Sequence, residues 1–207
     1  MRYLKWGFWL VLVGVVGVFL SYDLPRHDIV RVVGTEVRRV DFGENSLFWA
    51  APDVGTASAT SRDVRFINTV RPSGKALVFR NEDTGWGWPP YFKLDSSDLQ
   101  AQAESLISTK AEPIWVSVTR YGWRSRWLTI YPNAVGMKVV PGPDARIIPW
   151  ANIIILTLLA LVVLTIRAMW RQFRERSIDP LLEDAEDAWD DAGEGARNWF
   201  DRLFGRK

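Results

Sequence analysis

The chain has 207 residues, enough for one ordinary domain with accessory segments. Its 26 basic and 24 acidic residues leave a net charge of +2, so no global field draws it to nucleic acid. The absence of cysteine excludes disulfides, thiolate catalysis and thiolate metal sites, and His27, the only histidine, leaves zinc without its usual ligands.

A mean hydropathy near zero conceals two very apolar stretches. From Trp6 to Tyr22 the chain carries no charge. With Tyr3 and Leu24 this stretch reaches the roughly 20 residues that a bilayer core requires. Arg2 and Lys5 would suit a signal peptide, but no small-x-small cleavage pattern precedes Tyr22, so residues 1–24 read as an uncleaved anchor. Gly7, Gly14 and Gly17 would let another helix approach it closely.

Residues 25–146 read as a β-rich extracytoplasmic domain. Alternation and turn residues predict strands at Ile29–Val40, Asp63–Val70 and Lys75–Arg80, and the turn Arg71-Pro72-Ser73-Gly74 predicts a hairpin between the last two. A helix is expected over Ser96–Thr109, capped by Asp95, with Leu99, Ala103, Leu106 and Ile107 on its apolar face. Strands at Ile114–Tyr121 and Trp127–Val140 complete a β-β-β-α-β-β order. That is the order of the oligonucleotide/oligosaccharide-binding barrel, so the fold class is an α+β membrane protein with a small OB-like domain between two transmembrane helices.

Aromatic residues supply the candidate interaction surface. Alternation in the last hairpin puts Ile114, Val116, Val118, Leu128 and Ile130 on one face, and Trp115, Ser117, Thr119, Tyr121, Trp127, Thr129 and Tyr131 on the other. The second face mixes rings with hydroxyls. Either it stacks on a sugar, peptide or protein, or it is buried beneath the helix, the Phe42–Ser61 loop or lipid headgroups. Trp86 and Trp88 stand in the rigid stretch Thr84-Gly85-Trp86-Gly87-Trp88-Pro89-Pro90, suited to clamping a ligand or resting on a bilayer.

The second span is expected at residues 147–170, where Ile153–Ile166 is apolar except for Thr157 and Thr165. Arg2 and Lys5 before the first span, and Arg167, Arg171, Arg174 and Arg176 after the second, place both termini in the cytoplasm and the domain outside. Trp6, Trp9 and Trp170 would then lie at the inner interface and Trp150 at the outer one.

Residues 171–207 read as a cytoplasmic amphipathic tail in which Asp179 caps a new helix with Pro180 in its first turn. The acidic residues from Glu183 to Glu194 favour water or a basic partner. Trp199, Phe200, Leu203 and Phe204, with Arg197, Arg202, Arg206 and Lys207, have the composition of a helix lying in a headgroup layer.

Catalytic groupings are weak. His27-Asp28 would have to assemble a triad against the membrane surface, and Gly85-x-Gly87 lacks the third glycine and the strand-to-helix setting of a phosphate loop. Helix capping and turn chemistry account for Glu82, Asp83, Asp95 and Asp98 more simply than a cation site does.

The runs VGTEVRRVDFGENS, RDVRFINTVRPSGK, VFRNEDTGWGWPPYFKLDSSDLQA and VTRYGWRSRWLTIYPNA, followed by the second span and RERSIDPL, resemble a family of mostly alphaproteobacterial membrane proteins. It is known as the domain of unknown function number fifteen twenty-three. The resemblance implies a bacterial inner-membrane location and no activity. From the aromatic and tail surfaces and the weak catalytic groupings, the expected function is a non-catalytic accessory subunit, assembly factor or scaffold, without a cofactor, whose partners are the bilayer and another membrane protein. The alternative is a module binding a glycan, peptide or small molecule; nucleic acid is excluded.

Overall fold

A computed structural model describes residues 2–41 and 61–182, together with residues 189, 191, 193, 195, 199 and 205. The Phe42–Ser61 loop, apart from Ser61, lies outside the described residues, as do Phe200, Leu203, Phe204 and most of the acidic tail. The chain divides into two compact units, residues 1–152 and 153–207.

The first unit opens with helix α1 (Arg2–Asp23), continues through β1 (Arg26–Asp41), β2 (Ser61–Val70), β3 (Ala76–Asn81), α2 (Ser96–Ser105), β4 (Trp115–Tyr121) and β5 (Asn133–Val139), and ends in the first residues of α3 (Trp150–Phe173). It is an α+β arrangement on a five-stranded sheet. Hydrogen bonding follows the order β1-β2-β3-β5-β4, and the long β1 closes the ring by pairing with β2 through its second half and with β4 through its first. A shift in the β1–β2 register between Val32 and Gly34 marks the place where β1 bends from one neighbour to the other. Residues Arg71–Gly74 form the expected hairpin turn, with Gly74 at φ +77 and its N–H donating to the Arg71 carbonyl. A left-handed residue there suits glycine, which has no Cβ to clash.

Alternation sets the core. Val30, Val32, Ile67, Leu77, Phe79, Val116, Val118, Ala134 and Met137 point inward from all five strands, and α2 adds Leu99 and Ala103 with Leu106 against them. A period of two on the strands and of three to four on the helix is what a sheet closed around one helix face needs.

Several sequence expectations require correction. The helix stops at Ser105 rather than Thr109, because Leu106 leaves helical geometry, so Ile107 is exposed instead of joining the apolar face. Asp95 makes no capping bond; Asp83 accepts from the Ser96 N–H at 2.8 Å and from its hydroxyl at 3.1 Å. The last strand begins at Asn133, not Trp127. Trp127, Leu128 and Thr129 lie in a tight turn closed by the Ser125–Ile130 bridge, with Thr129 at φ +51, a left-handed conformation incompatible with a strand.

Two helices, Tyr3–Asp23 and Trp150–Leu182, are long and apolar enough to cross a membrane. The second does not restart at Asp179. Its backbone passes through a π turn, Arg174–Ile178, and Asp179 is itself helical, paired with Arg174 at 3.3 Å. A π turn already leaves the regular i→i−4 pattern, which accommodates the missing donor of Pro180 one turn on.

Phe79 is fully buried at the centre of the core. Phe79→Ala is expected to destabilise the sheet domain by about 3–5 kcal/mol, read as a lower denaturation midpoint of the purified chain.

Candidate functional site

The chemistry-bearing side chains of the first unit converge where α1 ends. Ser21, Tyr22 and Asp23 form its last turn, and two loops grip that turn from the sheet. The loop after β4 donates the Gly122 N–H to the Tyr22 carbonyl at 2.8 Å and the Trp123 indole N–H to the Ser21 hydroxyl at 3.1 Å. Gly122 has φ +84, and a Cβ there would lie 3.6 Å from the Tyr22 ring, so the conformation rather than crowding selects glycine. The loop between β3 and α2 donates the Trp88 indole N–H to the Asp23 carboxylate at 3.2 Å and the Tyr91 hydroxyl to the Asp23 carbonyl. The Gly122 and Tyr91 bonds satisfy backbone carbonyls that a helix C-terminus otherwise leaves without partners.

Rings fill the space between the loops and the helix. Trp88 stacks on Phe19 at 5.4 Å, Tyr91 stacks on Tyr121 at 4.9 Å, and Tyr22 meets Tyr121 and Trp123 edge-on at 6.1 and 5.2 Å. Burial raises the Tyr91 hydroxyl above the usual phenol range, with the Asp23 charge adding to the effect. Burial raises Tyr121 likewise.

Beneath the rings is a buried polar layer. Arg80, 3% exposed, pairs with Glu82, 7% exposed, at 3.2 Å, and Arg80 also donates to the Tyr22 hydroxyl. Arg80 stands opposite Phe66 in the ladder, one residue out of phase with the core residue Phe79, so it belongs to the outer face of the sheet, where Phe66 meets the Tyr131 ring. Asn133 ties the layer together through its side chain: Oδ1 accepts from the Glu82 N–H at 2.9 Å, and Nδ2 donates to the Glu82 carbonyl at 3.0 Å and the Tyr121 hydroxyl at 3.1 Å. Lys93, 7% exposed, donates to the Asn81 side chain and to the Ala134 carbonyl at 2.8 Å. Burial lowers the Lys93 ammonium to about 8, against the opposing pull of Asp83 and Glu82. The Glu82 backbone and the Lys93 ammonium thus hold the loop between β3 and α2 to the sheet.

The six candidate aromatics do not form one surface. Trp115 and Tyr121 stand at opposite ends of β4, six residues and roughly 20 Å apart at the strand rise. Tyr121 is a correction as a contact residue: it is buried, because Tyr22 at the end of α1 and Tyr91 cover that face of β4. Ser117, expected on that face too, is buried. Trp115 and Tyr131 are half-buried, and Arg124 lies over the Tyr131 ring at 4.3 Å. Trp127 is 97% exposed, and Trp86 is 85% exposed beside the exposed Phe92. Of the tail candidates, Trp199 is described, as an exposed helical residue.

Tyr22, Arg80, Tyr91, Lys93 and Trp123 escaped the sequence reading as site residues, and Glu82, assigned there to turn chemistry, is instead buried against Arg80. Arg80 occupies an outward strand position, which local alternation assigns to solvent, and nothing in the pattern announces that α1 returns to cover it. His27 pairs with Thr119 in the β1–β4 ladder. No group of three acidic or histidine side chains able to hold a metal occurs among the described residues.

The fold and this grip define an α+β protein with two helices apolar enough to span a membrane, the first held at its end by the sheet domain. The chain belongs to the family described as protein of unknown function (DUF1523), whose model matches residues 1–174. It is 38% identical over 151 residues to an uncharacterized protein of Haemophilus influenzae, a match covering 72% of this chain and 81% of that relative. No solved structure matches.

Lys93 yields a pH test. Its folded-state value of about 8 lies below the ordinary 10.5, so between those limits the unfolded chain binds the extra proton and stability rises with pH. The wild type is expected to gain on the order of 3 kcal/mol from pH 8 to 10.5 relative to Lys93→Met, measured as the difference between the two pH profiles of unfolding free energy.

Proposed function

We propose that the chain is a non-catalytic protein of the bacterial inner membrane that acts through protein contacts, as an accessory subunit, assembly factor or scaffold. In this reading α1 and α3 cross the bilayer, both termini lie in the cytoplasm, and the sheet domain is periplasmic. The basic residues outside each apolar stretch support that orientation. The closed ring of strand pairings and the β-β-β-α-β-β element order support an OB-type barrel.

One observation carries the functional reading: the domain is clamped to the last turn of its own anchor by four hydrogen bonds rather than tethered by a linker. A tethered receptor for a small ligand gains nothing from a fixed attitude on the membrane. A subunit that must present a surface to a neighbour in the same bilayer does. The loops that form the clamp also carry the exposed Trp86, Phe92 and Trp127, rings suited to interfaces where an apolar body meets water.

Two measurements test this. Introduced cysteines report topology cleanly because the chain has none of its own. Ser73→Cys in the β2–β3 turn is expected to react with a membrane-impermeant maleimide added outside spheroplasts, and Arg174→Cys only after permeabilisation; the reverse pattern would refute the orientation. For function, wild-type protein extracted in mild detergent is expected to retain a membrane partner in fixed ratio. The double substitution Trp86→Ala with Trp127→Ala should lower that retention at least tenfold while leaving the melting temperature within a few degrees. A monodisperse chain without partner, or retention unaffected by the substitutions, would count against the proposal.

A further inference from the structure

A second feature lies beside the grip. Arg26, Arg71, Lys75, Arg120, Arg124 and Arg126 line an open cleft of about 650 Å³, whose wall also includes Trp123. Three separate elements supply these cations: the start of β1, the β2–β3 hairpin and the end of β4 with its following loop. Their convergence is a product of the closed sheet and not of a basic run in the sequence.

Asp28 is the carboxylate that answers them, and it organises the cleft rather than neutralising it. It accepts from Arg71 at 3.0 Å and from the Arg120 Nε at 2.6 Å, while Arg120 also donates to the Gly122 carbonyl at 2.7 Å. Arg124 is held by the Ser125 and Ile130 carbonyls. Carbonyl bonds leave a guanidinium's charge uncompensated. Lys75 and Arg126 are exposed, and among the described residues their side chains make no ion pair or hydrogen bond. Six cations against one carboxylate, two of them unengaged, repel one another unless an anion sits between them.

The position of the cleft selects the anion. Arg26 donates to the Ser21 carbonyl at 2.9 Å, and Trp123 donates to the Ser21 hydroxyl at 3.1 Å, so two wall residues touch the last turn of α1. If α1 spans the bilayer, that turn marks the level at which apolar chain gives way to phosphate. We propose that the cleft binds the phosphate of an anionic phospholipid headgroup, with Lys75 and Arg126 as its free charges and Arg71, Arg120 and Arg124 as its fixed wall. Arginine forks match two phosphate oxygens at once, and a lysine on a flexible stem closes over a third.

This inference rests on the reading of α1 as a span, and its test is separable from that reading because it needs no bilayer. The full chain, purified in dodecyl maltoside micelles, is incubated with equal amounts of phosphatidylglycerol and phosphatidylcholine, and retained lipid is counted by native mass spectrometry. Preferential retention of phosphatidylglycerol is expected, with about a tenfold loss in Lys75→Glu with Arg126→Glu and a comparable loss when salt rises from 50 to 500 mM. Lipid held instead by Arg167, Arg171 and Arg174 would be untouched by that double variant, so unchanged retention overturns the assignment. Equal retention of the two lipids overturns it too. Displacement of phosphatidylglycerol by equimolar inorganic phosphate would assign the cleft to a soluble phosphate compound and overturn the lipid as its occupant. If the charge-reversed variant melts early, Lys75→Gln with Arg126→Gln replaces it, with the same loss expected.

Discussion

The buried Arg80–Glu82 pair is the constraint on which the first unit depends. Two charges withdrawn from water lose hydration worth several kcal/mol each, and only close geometry with further hydrogen bonds offsets that loss. The geometry is set from elsewhere in the chain: Asn133 holds the Glu82 backbone from β5, and Arg80 reaches the Tyr22 hydroxyl at the end of α1. Without α1 the outer face of β3 would expose this pair to water, and the reason for the aromatic stack above it would vanish. Helix α1 and the sheet are therefore one folding unit, in keeping with their place in one compact body.

That coupling explains the tryptophan content in part. Trp88 and Trp123 each use the indole N–H on the last turn of α1 and the ring against a neighbour, although Trp88 remains 65% exposed. Trp86 and Trp127, carried on the same two loops, use neither in this way and face outward. A loop held rigidly at its base and aromatic at its exposed part presents large contact area at small entropic cost. The proposed protein-contact role draws on that division of labour, and the basic cleft next to Trp123 adds an electrostatic surface with a different chemistry.

Asn152, in the first turns of α3, donates to the Pro25 carbonyl at 3.0 Å, so the junction between α1 and β1 is tied from a third direction. Pro25 has no N–H, and the Leu24 N–H is taken by the Leu20 carbonyl, which leaves the Pro25 carbonyl as the acceptor to be satisfied at this corner. The short link between helix and strand is thus braced rather than hinged.

By itself the sequence determined whatever depends on local period and composition. Uninterrupted apolar runs located α1 and α3, strand alternation located β1 to β4 and the inward Val116 and Val118, and a Pro-Ser-Gly turn located the hairpin, because each signal is written within one element. Only the tertiary structure decided which outward positions would be covered. The left-handed Thr129 took Trp127 out of the last strand, and Tyr22 and Tyr91 covered Tyr121, so Trp115, Tyr121, Trp127 and Tyr131 do not make one aromatic face. Arg80, Glu82 and Lys93 read as solvated until a helix far away in sequence and two loops close over them, and the six cations of the cleft meet only when β1 pairs with both β2 and β4. Burial of a charge is a property of what lies opposite it, and no period within a strand records that.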